Sequence, residues 1–381
     1  MPILIRVFIT SNVIIKNFKK LLTYNMATLY NKKNKEQLVQ ELKKEDFKRV
    51  TLSFYRYVNI KNVEDLRDVL YDKWNQMKIL GRVYIASEGI NAQISIPDYN
   101  LEKFKKELDS YKEFKSIDFK FALSNQVSFY KLVVKVKEEI VAYKIPKNEY
   151  DMNHTGKHLN ARDFNKLIDD KNSVIVDMRN HYESEVGKFE RAICPDVDSS
   201  KELLPETKKL LKKHKNDNVL LYCTGGIRCE KASAYLIKHK FKNVFQLKGG
   251  IIQYAHQIKE QKITSKFKGK NFVFDDRLGE RITNDILSYC HQCNAYCDNH
   301  TNCANDACHL LFIQCDNCKK LYDGCCSEEC KQINILPIEE QRELRKEKPD
   351  VAAPLIHHYR DRLKPKLKEM TERKNNSLIK K

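Results

Sequence analysis

Short segments in which hydrophobic and polar residues alternate lie between residues 50 and 136, and two stretches of helical periodicity separate them. In chain order they predict a strand at "VTLSFYRYV", a helix at "NVEDLRDVLYDKWNQM", strands at "GRVYIA" and "INAQISIP", a helix at "NLEKFKKELDSY" and a strand at "SIDFKFAL". This order is typical of a ferredoxin-like, or acylphosphatase-like, α+β sandwich, in which two helices cover one face of the sheet and the other face is free. A further strand at "FYKLVVKV" is expected to extend the sheet.

The first predicted strand carries Phe54, Tyr55 and Tyr57 around Arg56. A free sheet face with aromatic rings and cations can hold single-stranded RNA by stacking. Aromatic residues on strands more often belong to a hydrophobic core, so both interpretations stay open.

Helix and strand signals alternate in the next part of the chain, from "ARDFNKLIDD" and "SVIVDMR" to "NVLLYCT", "EKASAYLIKH" and "NVFQLKGG". This alternation predicts a parallel sheet with helices on both faces. The segment that follows contains ten of the 13 cysteines. We therefore expect five parts: a flexible leader at 1–49, the ferredoxin-like domain at 50–140, an α/β domain at 155–262, a Cys-rich module at 272–334 and a basic, helical tail at 335–381.

The formal net charge of +19 favours a polyanionic partner, with nucleic acid as the first candidate. A Lys, Asn and Ile bias that reflects genome base composition would explain the charge equally well. Residues 1–35 contain no Asp or Glu, which indicates either a transit segment or an upstream start with Met26, rather than Met1, as the true initiator; we prefer the second. No apolar run approaches the roughly 20 residues that span a bilayer. We expect a cytoplasmic protein without a membrane partner, whose cysteines are reactive thiols or metal ligands.

Cys223 follows the apolar strand "NVLLY" and begins the loop "CTGGIR". Ligands of an open α/β sheet bind beyond the carboxyl ends of its strands. The glycine pair lets several backbone N–H groups point inward, and a helix that begins near Glu230 adds its positive terminus. With Arg228 closing the loop, this environment predicts a depressed thiol pKa and makes Cys223 the predicted nucleophile. The supporting loop backbone comprises Thr224, Gly225, Gly226 and Ile227.

A buried, inert thiol is the alternative for Cys223, because free cysteine is among the most buried residue types. The combination of strand, glycine pair, arginine and helix favours the nucleophile. Cys229 follows Arg228 directly. It is therefore a candidate resolving thiol for an oxidised Cys223, or else it points away as the first residue of the helix.

The Cys-rich module has spacings typical of zinc sites. Cys290 and Cys293 form one C-x-x-C pair and Cys315 and Cys318 another, and each pair can hold one edge of a tetrahedral zinc site. The remaining ligands would suffice for a second zinc, although spacing leaves their pairing open: Cys297, Cys303, Cys308, Cys325, Cys326, Cys330, His291, His300 and His309. No ferredoxin-type cysteine run occurs, so structural zinc is favoured over iron–sulfur. Reduced thiols or disulfides are the alternative.

The loop resembles the active loop of the rhodanese superfamily, whose cysteine carries a persulfide within a short loop that ends in a basic residue. Phosphatases of the related fold have one more residue between cysteine and arginine, which disfavours phosphatase activity. The segment "VIVDMRNHYESEVGKFERAI" is similar to the corresponding rhodanese segment, and we interpret its Asp177 and Glu183 as structural. A second resemblance is carried by the segment just quoted together with "GRVYIASEGINAQIS", "TGKHL", "YCTGGIRCEKASAYL", "LKGGI" and "CHQC…CHLLFIQC…GCCSEEC". Over residues 50–335 the chain resembles the rhodanese-like oxygen-dependent tRNA uridine(34) hydroxylases.

That resemblance implies hydroxylation of the wobble uridine of tRNA at C5 to 5-hydroxyuridine, with molecular oxygen as co-substrate. It carries the active cysteine onto Cys223, with Arg228 and the loop backbone as its support. The sequence has no flavin or nicotinamide fingerprint, so the electron source stays open. A thiolate that adds to C6 of uracil makes C5 nucleophilic, so Cys223 is expected to activate the base toward oxygen. Alternatively, Cys223 itself carries an oxidised or sulfurated intermediate.

Two other functions fit parts of the chain. A sulfurtransferase with a persulfide on Cys223 needs only residues 155–262 and leaves the flanking parts and the basic charge unexplained. A non-enzymatic RNA-binding scaffold would use the outer parts and would tolerate the loss of Cys223.

Overall fold

The computed structural model describes residues 33–124, 126–197 and 199–347, which divide into two compact units on either side of the Ile140–Val141 bond. The first part of the leader, with Met26, and the tail beyond residue 347 lie outside the described residues. Within the described ranges, no helix combines the length and the apolar character that a membrane span requires.

The first unit is an α+β sandwich. Its elements in chain order are α1 (Lys35–Lys43), β1 (Arg49–Tyr57), α2 (Val63–Gln76), β2 (Leu80–Ala86), β3 (Gly89–Pro97), α3 (Leu101–Asp109), β4 (Lys120–Phe121) and β5 (Leu132–Val136). The strands form one sheet in the order β4-β1-β3-β2-β5, in which only β2 and β5 run parallel. The predicted ferredoxin-like sandwich is confirmed, and its additional strand lies at the β2 edge. Helix α1 falls within the predicted leader and begins with a capping box at Asn34.

Alternation along β1 separates the two faces of this sheet. Phe54 is buried on the helix-covered face, where its ring lies 6.3 Å from Trp74 of α2 and 6.0 Å from Phe104 of α3, measured between ring centroids. Tyr55 and Tyr57 are half-buried on the opposite face. The core interpretation of the aromatic residues therefore holds for Phe54.

The second unit contains a parallel α/β domain. Its elements are β6 (Lys157–Leu159), α4 (Ala161–Ile168), β7 (Ser173–Asp177), α5 (His181–Glu185), β8 (Gly187–Phe189), α6 (Ser200–Leu210), β9 (Asn218–Tyr222), α7 (Ile227–Lys238), β10 (Asn243–Leu247) and α8 (Gly250–Glu260). The central sheet has the parallel order β6-β10-β9-β7. Val219 and Leu221 of β9 pack on the side of α6 and α7, whereas Leu220 and Tyr222 pack on the side of α4 and α8. Helices cover both faces, as predicted.

The Cys-rich part has little regular structure. Its elements are β11 (Phe267–Asn271), β12 (Glu280–Arg281), β13 (His300–Asn302), β14 (Leu311–Ile313), α9 (Asp316–Leu321), α10 (Glu328–Asn334) and α11 (Ile338–Glu347). Strand β11 pairs with β8 and so joins this part to the α/β domain. Cysteines make up much of its hydrophobic clusters, alongside a few apolar residues such as Phe312 and Ile313. So small an apolar core needs other cross-links for stability.

Candidate active-site loop and metal centres

Cys223 lies directly after β9, at the carboxyl end of the central sheet. Gly226 has a φ of 97° and serves as the N-cap of α7, so the helix begins at Ile227 and not near Glu230 as the sequence pattern suggested. A left-handed glycine turns the chain into the helix within one residue, which shortens the loop. The Gly226 N–H donates a hydrogen bond of 3.1 Å to the Cys223 sulfur, which has no exposed surface.

Gly250 packs closely against the backbone of the loop. It has a φ of +65°, and a Cβ atom there would lie 2.5 Å from the carbonyl oxygen of Cys223. The same carbonyl accepts a hydrogen bond of 3.0 Å from Ile251 N–H. By contrast, a Cβ atom on Gly225 would meet nothing within 4 Å. The loop is therefore packed tightly on one side and open beside Gly225.

The surroundings of Cys223 stabilise its thiolate. Burial alone would raise the pKa of this thiol, but a hydrogen bond from the Cys229 thiol, the charge of Arg228 and the N–H groups of Arg228 and Gly226 together lower the pKa to about 6. Cys223 is therefore mostly ionised at neutral pH, which is the reactive form of a cysteine.

Cys229 lies in the first turn of α7 and belongs to the same buried cluster as Cys223. Its side chain hydrogen-bonds the Cys223 sulfur, so it does not point away from the loop. Burial, followed by this hydrogen bond, raises the pKa of Cys229 well above its ordinary value. The loop thus brings one thiolate and one neutral thiol together in a single buried cluster.

Arg228 does not present a free cation to the loop. Its guanidinium forms two hydrogen bonds to the carboxylate of Glu183, of 2.5 and 2.8 Å, and one of 3.2 Å to the Thr224 hydroxyl. Both ends of this ion pair are buried. Burial opposes the charge of Arg228, but Glu183 raises its pKa well above the ordinary value. Glu183, interpreted as structural from the sequence, is the partner of Arg228, and no local pattern pointed to the contact between these positions.

A second buried network fixes the strand ends beneath the loop. Arg179 donates to both carboxylate oxygens of Asp177 and to the carbonyl of Gly187, the last at 2.6 Å. The Tyr222 hydroxyl donates to Asp177 at 2.7 Å. These contacts join β7, β8 and β9, which accords with the structural interpretation of Asp177.

Eight of the ten cysteines of the Cys-rich part form two groups of four. The sulfurs within each group lie within 4.8 Å of one another: Cys290, Cys293, Cys315 and Cys318 in the first, and Cys303, Cys308, Cys326 and Cys330 in the second. Tetrahedral zinc with Zn–S bonds of about 2.3 Å requires sulfurs about 3.8 Å apart. The sulfur–sulfur distances of 3.5 Å for Cys293–Cys315, 3.8 Å for Cys308–Cys326 and 3.7 Å for Cys326–Cys330 fit this requirement. The two groups alternate along the chain, in a cross-braced arrangement that spacing had left open.

Several ligand candidates from the sequence lie outside these groups. The Cys297 sulfur accepts a hydrogen bond from Asn299 N–H at 3.4 Å, and Cys325 is buried in the hydrophobic cluster of the second group. His291 hydrogen-bonds Glu185 at 2.8 Å, while His300 stacks edge-on against Phe272. His309 is likewise outside both groups, and all 13 cysteines are free of disulfide bonds.

Comparison with known proteins matches this architecture part by part. Three family models match the chain: "UPF0176 acylphosphatase like domain" at 49–140, "Rhodanese-like domain" at 160–257 and "Rhodanase C-terminal" at 268–331. The fold and the cysteine loop thus define a three-part protein built around a rhodanese-like domain.

Relatives similar over most of the chain are named tRNA uridine(34) hydroxylase. One from Leptospira interrogans is 51% identical over 87% of this chain and 91% of its own length. Others from Photorhabdus laumondii and Pectobacterium carotovorum are 47% and 48% identical, over 84% of this chain and 92% and 91% of their own lengths. The chain belongs to the tRNA uridine(34) hydroxylase family.

Proposed function

We propose that this protein hydroxylates uridine 34 of tRNA at C5, with molecular oxygen as co-substrate and Cys223 as the reacting residue. The observation that carries the proposal is the Cys223 thiolate, whose pKa is about 6, at the carboxyl end of the central sheet. The substrate and the reaction come from the names of the relatives, and the match covers about nine-tenths of the length of each relative.

The role of Cys223 follows from the chemistry of uracil. C5 of uracil becomes nucleophilic when a thiolate adds to C6, and a cysteine ionised at neutral pH is suited to this addition. The base would approach beside Gly225, where the loop is open. Arg228, held by Glu183, lowers the pKa of Cys223 and fixes the loop rather than binding the base directly.

The sheet of the first unit offers a surface for tRNA. Tyr55 and Tyr57 have ring centroids 6.4 Å apart on the face opposite the helices. By strand register and alternation, Arg82, Tyr84 and Lys135 lie on the same face. We call these five residues the tyrosine face. Arg82 and Lys135 are exposed and the tyrosines are half-buried, which suits phosphate contacts combined with base stacking.

Zinc is the proposed metal of the two cysteine groups. Eight thiolates in two tetrahedral sets fit structural zinc, which would cross-link a part of the chain that has only a small apolar core. The division into a leader, a ferredoxin-like domain, a rhodanese domain, a Cys-rich module and a tail remains part of this proposal, as does a cytoplasmic location.

Nucleoside mass spectrometry of tRNA from cells that lack the gene tests the proposed function. Complementation with the wild-type gene should restore 5-hydroxyuridine and its derivatives, whereas Cys223→Ala should not. Cys194→Ser is the matched control, because Cys194 lies outside the loop and both metal groups. Unchanged nucleosides in the deletion strain would contradict the proposal and favour a sulfurtransferase, and full activity of Cys223→Ala would favour a scaffold.

A further inference from the structure

Hydroxylation of a C–H bond by dioxygen needs an electron donor. One oxygen atom enters the product and the other leaves as water, so two electrons are required beyond those of the C–H bond. A dithiol that becomes a disulfide supplies two electrons and two protons. A pair of adjacent thiols at the reacting residue would therefore balance the reaction.

Cys223 and Cys229 are such a pair. Both residues belong to one buried cluster and have no exposed surface, and each thiol lies close enough to the other to change its pKa. The backbone holds them in place, because Cys229 N–H donates to the Gly226 carbonyl at 3.0 Å and Gly226 N–H donates to the Cys223 sulfur at 3.1 Å. Eight of the remaining described cysteines belong to the two metal groups.

We infer that Cys223 and Cys229 form a redox pair that supplies both electrons for the hydroxylation, an inference that rests on the proposed function. The Cys223 thiolate adds to C6 of the uridine, and C5 then bonds to dioxygen. A proton from water converts the resulting peroxide anion into the C5 hydroperoxide. The Cys229 sulfur then attacks the outer oxygen. The O–O bond breaks, C5 keeps a hydroxyl group, and Cys229 becomes a sulfenic acid.

The remaining steps release the product. Loss of the C5 proton breaks the C6–S bond and gives 5-hydroxyuridine with Cys223 as thiolate. Cys223 attacks the sulfenic acid of Cys229, expels water and forms the disulfide. The sum is uridine, dioxygen and two thiols giving 5-hydroxyuridine, water and one disulfide. A low-molecular-weight thiol then reduces the disulfide for the next turnover.

The electrostatics of the loop suit this division of roles. The lowered pKa of Cys223, about 6, makes it the nucleophile toward the base and a good leaving group from it. Burial raises the pKa of Cys229, so Cys229 keeps its proton until the O–O bond breaks and the oxygen left on C5 receives it.

A single-turnover experiment with Cys229→Ser tests the inference. Serine retains a hydroxyl donor for Cys223 but cannot supply electrons. The reduced protein is freed of added thiol and mixed with excess tRNA that contains uridine 34, with or without oxygen. The product is counted by nucleoside mass spectrometry, and the disulfide by mass spectrometry of alkylated peptides.

The wild-type protein should form about one 5-hydroxyuridine per chain together with an equal amount of Cys223–Cys229 disulfide, and only when oxygen and tRNA are both present. Cys229→Ser should form on the order of tenfold less product, whereas Cys194→Ser should match the wild type. Equal yields from Cys229→Ser and wild type, or several turnovers without thiol and without the disulfide, would overturn the inference while the hydroxylase function stands. No product from the wild type, even with added thiol, would instead refute the proposed function and the inference with it.

Discussion

Replacing Cys229 with alanine should raise the pKa of Cys223. Burial raises the pKa of this thiol, and the hydrogen bond from Cys229 is the largest of the influences that lower it to about 6. A hydrogen bond to a charged group contributes about 1.5–3 kcal/mol, and about 1.4 kcal/mol corresponds to one pKa unit, so Cys229→Ala should raise the pKa by about 1–2 units. Cys229→Ser keeps a donor and should leave the pKa near 6.

The ultraviolet absorbance of the thiolate measures this pKa directly. Each variant is titrated with pH and compared with the same variant carrying Cys223→Ser, so that the difference reports Cys223 alone. Because the thiolate forms as pH rises, the midpoint of the alkylation rate of Cys223 should move to higher pH in Cys229→Ala by the same amount as the absorbance midpoint. An unchanged midpoint in Cys229→Ala, or a midpoint raised equally in Cys229→Ser, would refute the assignment of the hydrogen bond.

Three further predictions concern the ion pair, the metal groups and the tRNA surface. Glu183→Ala leaves a buried charge without its partner and should lower the free energy of unfolding of the second unit by about 3–5 kcal/mol, measured by urea denaturation. Cys293→Ser should reduce bound zinc, measured by elemental analysis, from about two ions per chain to about one, whereas Cys297→Ser should leave about two. Lys135→Gln, on the tyrosine face, should weaken tRNA binding and reduce the salt dependence by about one charge, whereas Lys103→Gln, on α3, should not.

Each of these predictions is contradicted if the variant and its control variant give the same result. Glu190 forms a half-exposed ion pair with Lys268, so Glu190→Gln should lower the free energy of unfolding by less than about 1 kcal/mol. An equal loss of unfolding free energy in this variant and in Glu183→Ala would contradict a special role for the buried pair. Loss of one zinc from Cys297→Ser would move that residue into a metal group. Equal tRNA binding by the two lysine variants would exclude the tyrosine face.

Much of the fold and of the loop could be predicted from local patterns. Alternation and helical periodicity predicted the order of the longer elements in both units, because each such strand or helix buries one side, but not the helices α1 and α5 or the short strands β6 and β8. Cys223 could be singled out because strand, glycine pair and arginine adjoin it in sequence. The exact start of α7 could not, because it depends on the left-handed conformation of Gly226.

The features that sequence reasoning missed depend on contacts between distant residues. Arg228 meets Glu183 across 45 positions, and nothing near either residue specifies the partner. The metal groups combine cysteines that are far apart in sequence, such as Cys293 and Cys315 with a separation of 22 positions, and the two groups alternate along the chain. The spacing of the cysteines is compatible with several other pairings. In both cases the fold, rather than the spacing, selects the partners.

The source of the oxygen atom in the product tests whether the protein hydroxylates uridine 34 with molecular oxygen through Cys223. Purified protein with a thiol reductant is incubated with tRNA that contains uridine 34 under isotopically labelled oxygen gas, and the nucleosides are analysed by mass spectrometry. The wild-type protein should form labelled 5-hydroxyuridine at position 34, and Cys223→Ala should form none. Unlabelled product, with its oxygen taken from water, or equal labelled product from Cys223→Ala would contradict the proposed function.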